Sequence, residues 1–198
     1  MTGDTCRAWN PTSCTGGTDC PPRCPRFVDA RGEVLLVEPL ADGHLEQLCS
    51  MYGSYPAEHR SMGLPPVTSG YVAEWLADLR ERGRNLVARD GDRVVGHAAY
   101  SPTSSDEPHL IVFVDPGFFE RGIGSELVRQ AIAYADADGH EALVLDVTAT
   151  NERAVAVYRT LGFEEIERRG NDVRMRLSLE EPIADAVGLA PADRPANA

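Results

Sequence analysis

The sequence of 198 residues predicts an α/β domain. Three observations carry that expectation. His109 to Val114 is a short apolar run rich in β-branched side chains. Soon after it, from Ser125, the pattern turns helical, with Leu127, Val128, Ala131, Ile132 and Ala135 on one stripe. A second strand-to-helix unit follows, in which Ala142 to Val147 is apolar and Asn151 suits the N-cap of a helix that ends before Gly162. Between Asn85 and Tyr100, Asp90-Gly91-Asp92 separates two apolar runs, the pattern of a hairpin.

The remaining elements follow in order. Residues 1–32 are crowded with Thr, Gly, Pro and Cys and show no apolar period, so they are expected to be a disordered extension. Cys6, Cys14, Cys20 and Cys24 lack the paired knuckles of a usual zinc site, and no metal is expected there. A zinc-bound interaction module is the alternative for this segment, and Val28 is a candidate alternative start. The domain proper spans 33–179. Val34 to Val37 reads as a strand, and Asp42 to Tyr52 as a helix with Leu45, Leu48 and Cys49 on one face. Gly53 to Gly70 is a Pro/Gly/Ser-rich loop carrying Tyr55, His59, Arg60 and Met62. Helical spacing returns through Val72, Trp75, Leu76 and Leu79. Phe163 to Arg168 and Val173 to Leu179 are the last strands, and 180–198 is expected to be a disordered tail.

Composition narrows the function. A hydrophobic content of 42% suffices for a core. No run approaches the about eighteen apolar residues of a membrane span, and no signal peptide opens the chain, so a cytoplasmic location without membrane contact is expected. The net charge of −12 argues against a nucleic-acid surface and suits a cationic amine partner.

The chemistry concentrates between the strand at 109–114 and the helix after it. Pro116 and Gly117 break the strand. Arg121-Gly122-Ile123-Gly124 then leads into the helix. Gly122 and Gly124 lack a Cβ and permit close approach to the backbone, while the unpaired N–H groups and positive dipole end of the helix favour a phosphate. The third glycine of a dinucleotide fingerprint would fall on Leu127, and no Gly-Lys-Ser/Thr follows, so neither a Rossmann nor a P-loop reading fits.

Val114, Pro116, Gly122 and Gly124 resemble the V-x-P-x-x-Q/R-x-x-G-x-G/A motif of the GNAT acetyltransferases. Asn151, Ala154, Tyr158, Gly162 and Phe163 resemble the same superfamily's N-x-x-A-x-x-x-Y-x-x-x-G-F signature. The first motif departs from the pattern at Phe119, where Gln or Arg is usual, and at Glu120, where glycine is usual. The resemblance implies a mixed, mostly antiparallel twisted sheet of six to seven strands flanked by four helices, with a splayed parallel pair at strands 4 and 5. It also implies acetyl-CoA as co-substrate and transfer of the acetyl group to the amine of a small molecule or peptide by direct attack. The alternative is an inactive acyl-CoA-binding regulatory module. Residue by residue, it assigns the pantetheine arm to Val112, Phe113 and Val114. The pyrophosphate goes to Arg121, Gly122, Ile123, Gly124 and Ser125, with Arg121 as countercharge, and Asn151 goes to the edge of the pantetheine. Tyr158 is the expected general acid, its phenol holding its proton at neutral pH. The base would be Glu107 or His109, at the start of the strand that ends in V-x-P. The acceptor would be read by residues near 52 to 75, and a homodimer is compatible with all of this.

Overall fold

The computed structural model describes residues 9–56, 60 and 64–194. His59, Met62 and Cys6, singled out above, lie outside the described residues. Eight strands form one sheet: β1 (Arg26–Val28), β2 (Val34–Pro39), β3 (Arg84–Asp90), β4 (Arg93–Ser101), β5 (His109–Val114), β6 (Ala142–Thr148), β7 (Glu164–Arg169) and β8 (Asp172–Ser178). Their spatial order is β1-β2-β3-β4-β5-β6-β8-β7. Every neighbouring pair is antiparallel except β5 and β6.

Among the described residues, five α-helices cover the sheet: α1 (Leu45–Gly53), α2 (Ser69–Arg82), α3 (Ile123–Ala137), α4 (Glu152–Thr160) and α5 (Pro182–Gly188). The apolar stripe expected from 125 onward is the face that α3 buries; Leu127, Val128, Ala131, Ile132 and Ala135 all sit in one core cluster with Leu143, Leu145 and Val155. On the other face, α1 and α2 bury Leu48, Tyr52, Val72, Leu76 and Leu79 against Val87, Val94 and Ala99. Because β4 has a helix layer on each face, Val94 to Tyr100 are buried without alternation. No helix among the described residues is long and apolar enough to cross a membrane.

The parallel pair positions the site. Only His109 and Val144 are in register, with the Val144 N–H donating to the Pro108 carbonyl at 3.2 Å. Beyond that bridge the strands part, and the gap is lined by Val112, Val114 and Thr148.

The sheet gains a strand and the molecule a helix over the sequence expectation, and both additions come from segments expected to be disordered. In the described part of 1–32, Arg23 is 2% exposed; it bonds both Glu126 oxygens, at 2.8 and 2.9 Å, and also the Val187 carbonyl. Gln130 donates to the Cys24 carbonyl, and β1 pairs with β2. In the expected tail, Ala184 and Val187 of α5 are buried in the core cluster that contains α3. The N-terminal segment packs through isolated polar anchors and one strand of three residues, which leaves no apolar period in the sequence. Among the described residues no cluster of His, Cys, Asp or Glu is placed to hold a metal ion.

Candidate active site

A cavity of about 760 Å³ opens between the parted ends of β5 and β6. Gly122 to Ser125, Val112 and Val114, Asn151 and Tyr158 all line it, so residues expected from both motifs meet in one space. The bond from Val144 to Pro108 fixes the facing of β5: by alternation, the backbone groups of Leu110, Val112 and Val114 point toward β6. The lower end of that edge is paired; the upper end faces the cavity.

The anion loop is built by its backbone. Asp115 bonds the Gly117 N–H at 2.9 Å and starts a turn of 3₁₀-helix over Pro116–Phe118. Gly122 caps α3 in the left-handed region, at φ 80°, and makes no side-chain cap bond. The Ile123, Gly124 and Ser125 amides belong to the first turn and have no partner within the helix. Glu120 is also left-handed, at φ 63°, the one described residue other than glycine there. That conformation is why glycine is the usual residue at this position of the motif.

Several expected site residues are placed differently. Arg121 turns away from the cavity and is 6% exposed; its Nε donates to the Asp29 carboxylate, its terminal nitrogens approach Asp90 at 3.4 Å, and its guanidinium lies over Phe118. Burial raises the Asp29 carboxyl, but hydrogen bonds from Arg121 and from the Glu33 and Arg31 amides outweigh it and hold the group below its ordinary value. Arg121 is therefore committed, and its expected role as phosphate countercharge is corrected. Phe113 is corrected as well. The pleat turns its side chain to the α1/α2 face, where the ring meets Tyr52, Tyr55 and Trp75 edge-on at 5.5, 5.9 and 6.1 Å. Glu107 is tied to Arg176 at 2.7 Å and does not line the cavity.

Tyr158 projects from α4 into the cavity, its ring 5.7 Å from that of Phe163, and burial pushes its phenol up to about 12. It keeps its proton through neutral pH. Asn151 accepts the Ala154 N–H at 3.2 Å, the N-cap bond expected of it, and its side-chain amide remains beside the cavity. His109 Nε2 donates to Asp146 Oδ2 at 3.0 Å, and Arg174 holds the same carboxylate through two bonds. The Arg174 bond, then that of His109, keeps Asp146 ionised by lowering its carboxyl below the ordinary value. His109 itself, at the paired end of β5, does not line the cavity.

Sequence reasoning passed over Asp146 and Arg153, and named Tyr55 only as one residue of the 52–75 stretch expected to read the acceptor. Asp146 is the polar residue inside an apolar strand, a signal that was there to read. Arg153 lines the cavity from the first turn of α4. Tyr55, 7% exposed, brings its hydroxyl to the Val114 N–H on the cavity wall.

Residues 45–163 match the model of the Acetyltransferase (GNAT) family. The chain belongs to that family. The ribosomal protein bS18-alanine N-acetyltransferase of Salmonella typhimurium is 34% identical over 110 residues, which cover 56% of this chain and 74% of that relative. An uncharacterized N-acetyltransferase of Methanocaldococcus jannaschii is 46% identical over 56 residues, 28% of this chain and 25% of its own. The chain thus spans a quarter or less of two of the curated relatives it matches. Among solved structures, the GNAT domain of S. lividans PAT superposes with a TM-score of 0.67 at 19% identity, over 77% of this chain and 95% of that one, a likeness of fold. GNAT architecture accounts for the parted β5–β6 pair and the loop at its mouth.

Proposed function

We propose that the chain transfers an acetyl group from acetyl-CoA to a primary amine, with the α-amine of a peptide as the first acceptor class and a small-molecule amine as the second. The observation that carries this reading is one cavity that joins the anion loop, the edge of β5 that β6 leaves unbridged and the protonated phenol of Tyr158. The donor supplies an activated thioester acyl group. The Gly122–Ser125 amides suit its diphosphate, and the Val112 N–H and C=O with the Val114 carbonyl suit the amides of its arm, as an added strand would. Tyr158 is placed to give its proton to a departing thiolate. His109, held by Asp146 at the paired end of β5 and outside the cavity lining, is the remaining candidate to take the proton of the attacking amine, through intervening water. The peptide acceptor is favoured by the Salmonella relative, whose name specifies an alanine of a ribosomal protein.

Calorimetric titration with acetyl-CoA, followed by thiol release over a panel of peptides and small amines, tests the reading. Tyr158→Phe should lower turnover by about 100-fold or more while leaving acetyl-CoA affinity unchanged. Binding without thiol release on any amine would favour the inactive module; unchanged turnover in Tyr158→Phe would remove that residue from the chemistry.

A further inference from the structure

The anion loop has lost the cation expected of it, and the structure supplies another. Among the described residues, the cations lining the cavity are Arg60 and Arg153. Arg60 is committed to three backbone carbonyls, those of Tyr55, Pro65 and Pro66. Arg153 is half-exposed and makes one ion pair, to Glu120 at 3.3 Å, where the carboxylate is itself 84% exposed. Its guanidinium also lies 5.3 Å from the centre of the Phe119 ring. Phe119 and Glu120 are the two positions where this chain departs from the motif, and Arg153 touches both of them from α4.

We propose that Arg153 is a ligand of the donor's diphosphate, kept at the mouth of the site by Glu120 and by the face of Phe119. This rests on the acetyl-CoA reading above. A diphosphate cradled by the Gly122–Ser125 amides brings its oxygens beside the Glu120–Arg153 pair, and like charge repels the carboxylate. The guanidinium then exchanges one carboxylate for phosphate oxygens, which present the same planar pairing geometry. Phe119 replaces a side-chain hydrogen bond with a stacking surface that holds the guanidinium in place during that exchange. The site thereby recovers a charge that Arg121 gives to Asp29.

Binding of CoA, dephospho-CoA and pantetheine by calorimetry, with circular dichroism to check folding, tests the assignment. Both residues are surface-exposed, so their variants should fold. Arg153→Ala should weaken CoA and dephospho-CoA alike, by roughly five- to tenfold, and leave pantetheine unchanged. Glu120→Gln should tighten CoA by roughly threefold, because it frees the guanidinium and removes the repelling carboxylate. Unchanged CoA affinity in Arg153→Ala overturns the proposal while leaving the acetyl-CoA reading intact. A loss confined to CoA moves the contact to the 3′-phosphate and overturns the diphosphate assignment, and an equal loss with pantetheine overturns it too. Failure of the unmodified chain to bind CoA overturns the underlying reading and this one together.

Discussion

The anion loop that walls the cavity and the aromatic cluster that walls its rear, behind Tyr55, are made in different ways. The anion loop is shaped by backbone: a left-handed Gly122, a turn capped by Asp115, and the first amides of α3. It is then braced from behind by charge, where Asp29 grips Arg121 and the Ala30 N–H bonds the Arg121 carbonyl. The second region is an aromatic cluster on the α1/α2 face that reaches the cavity through Tyr55; its side chains come from α1, α2 and β5 and pack edge-to-face around Phe113. It is braced by a neutral network. His97, fully buried, accepts the Tyr52 hydroxyl proton at Nδ1 and donates from Nε2 to Asn85 Oδ1, because the Asn85 amide nitrogen is spent on the Leu79 and Gly83 carbonyls. One wall depends on a buried ion pair and the other on a histidine that must stay uncharged, so the two should fail under different insults.

The largest effect is expected at the ion pair. Asp29→Ala leaves a buried guanidinium with a long contact to Asp90 and the face of Phe118, and should cost about 3 kcal/mol in denaturant unfolding. Adding Arg121→Met should recover most of that loss. A cost below about 0.5 kcal/mol would mean that the loop stands without its brace.

Acid should separate the walls. Burial lowers His97 from 6.5 to about 3, so the unfolded chain takes up that proton first. The histidine's stabilising contribution is complete above about pH 6.5 and declines as pH falls toward 3, on the order of 3 kcal/mol by pH 4. The Asp29 contribution is present above the ordinary carboxyl value and is lost only as pH falls through its lowered one. Stability followed between pH 7 and pH 4 should therefore slope downward toward acid, and His97→Gln should flatten the slope in that window. A flat profile in the unmodified chain would sink the neutral-network account.

The difference between the walls also explains what could be read in advance. A loop made by glycines and a helix start leaves a linear trace, so Gly122 and Gly124 were legible as an anion loop and Asn151 as a cap, while Tyr158 was legible only through the resemblance to the GNAT signature. The direction of the Arg121 side chain was not, because it is set by a carboxylate 92 residues away. The N-terminal brace left no trace either, since single anchors such as Arg23 and Asp29 have no period. Phe113 is a different case. Three successive strand residues cannot all face one gap, and the period of two should have excluded the middle one. The aromatic wall gathers Tyr52, Tyr55, Trp75 and Phe113 by tertiary packing, which a single sequence does not record.

The smallest predicted effect falls at Asn151, where one side chain both caps α4 and lines the cavity. Its oxygen caps α4 by accepting the Ala154 N–H, while its amide nitrogen lies beside the cavity. Asn151→Asp keeps the acceptor and places a negative charge at the first turn, which a helix start favours. Stability should hold or rise slightly. The same change removes the donor and sets a charge beside a phosphate site, so acetyl-CoA affinity should fall by roughly fivefold. Asn151→Ala removes both functions and should cost about 1 kcal/mol of stability as well. Thermal melts and calorimetry on the two variants divide the roles. If the Asn151→Asp variant binds acetyl-CoA as tightly as the unmodified chain, the residue is a cap alone, and the mouth of the cavity recognises its ligand without it.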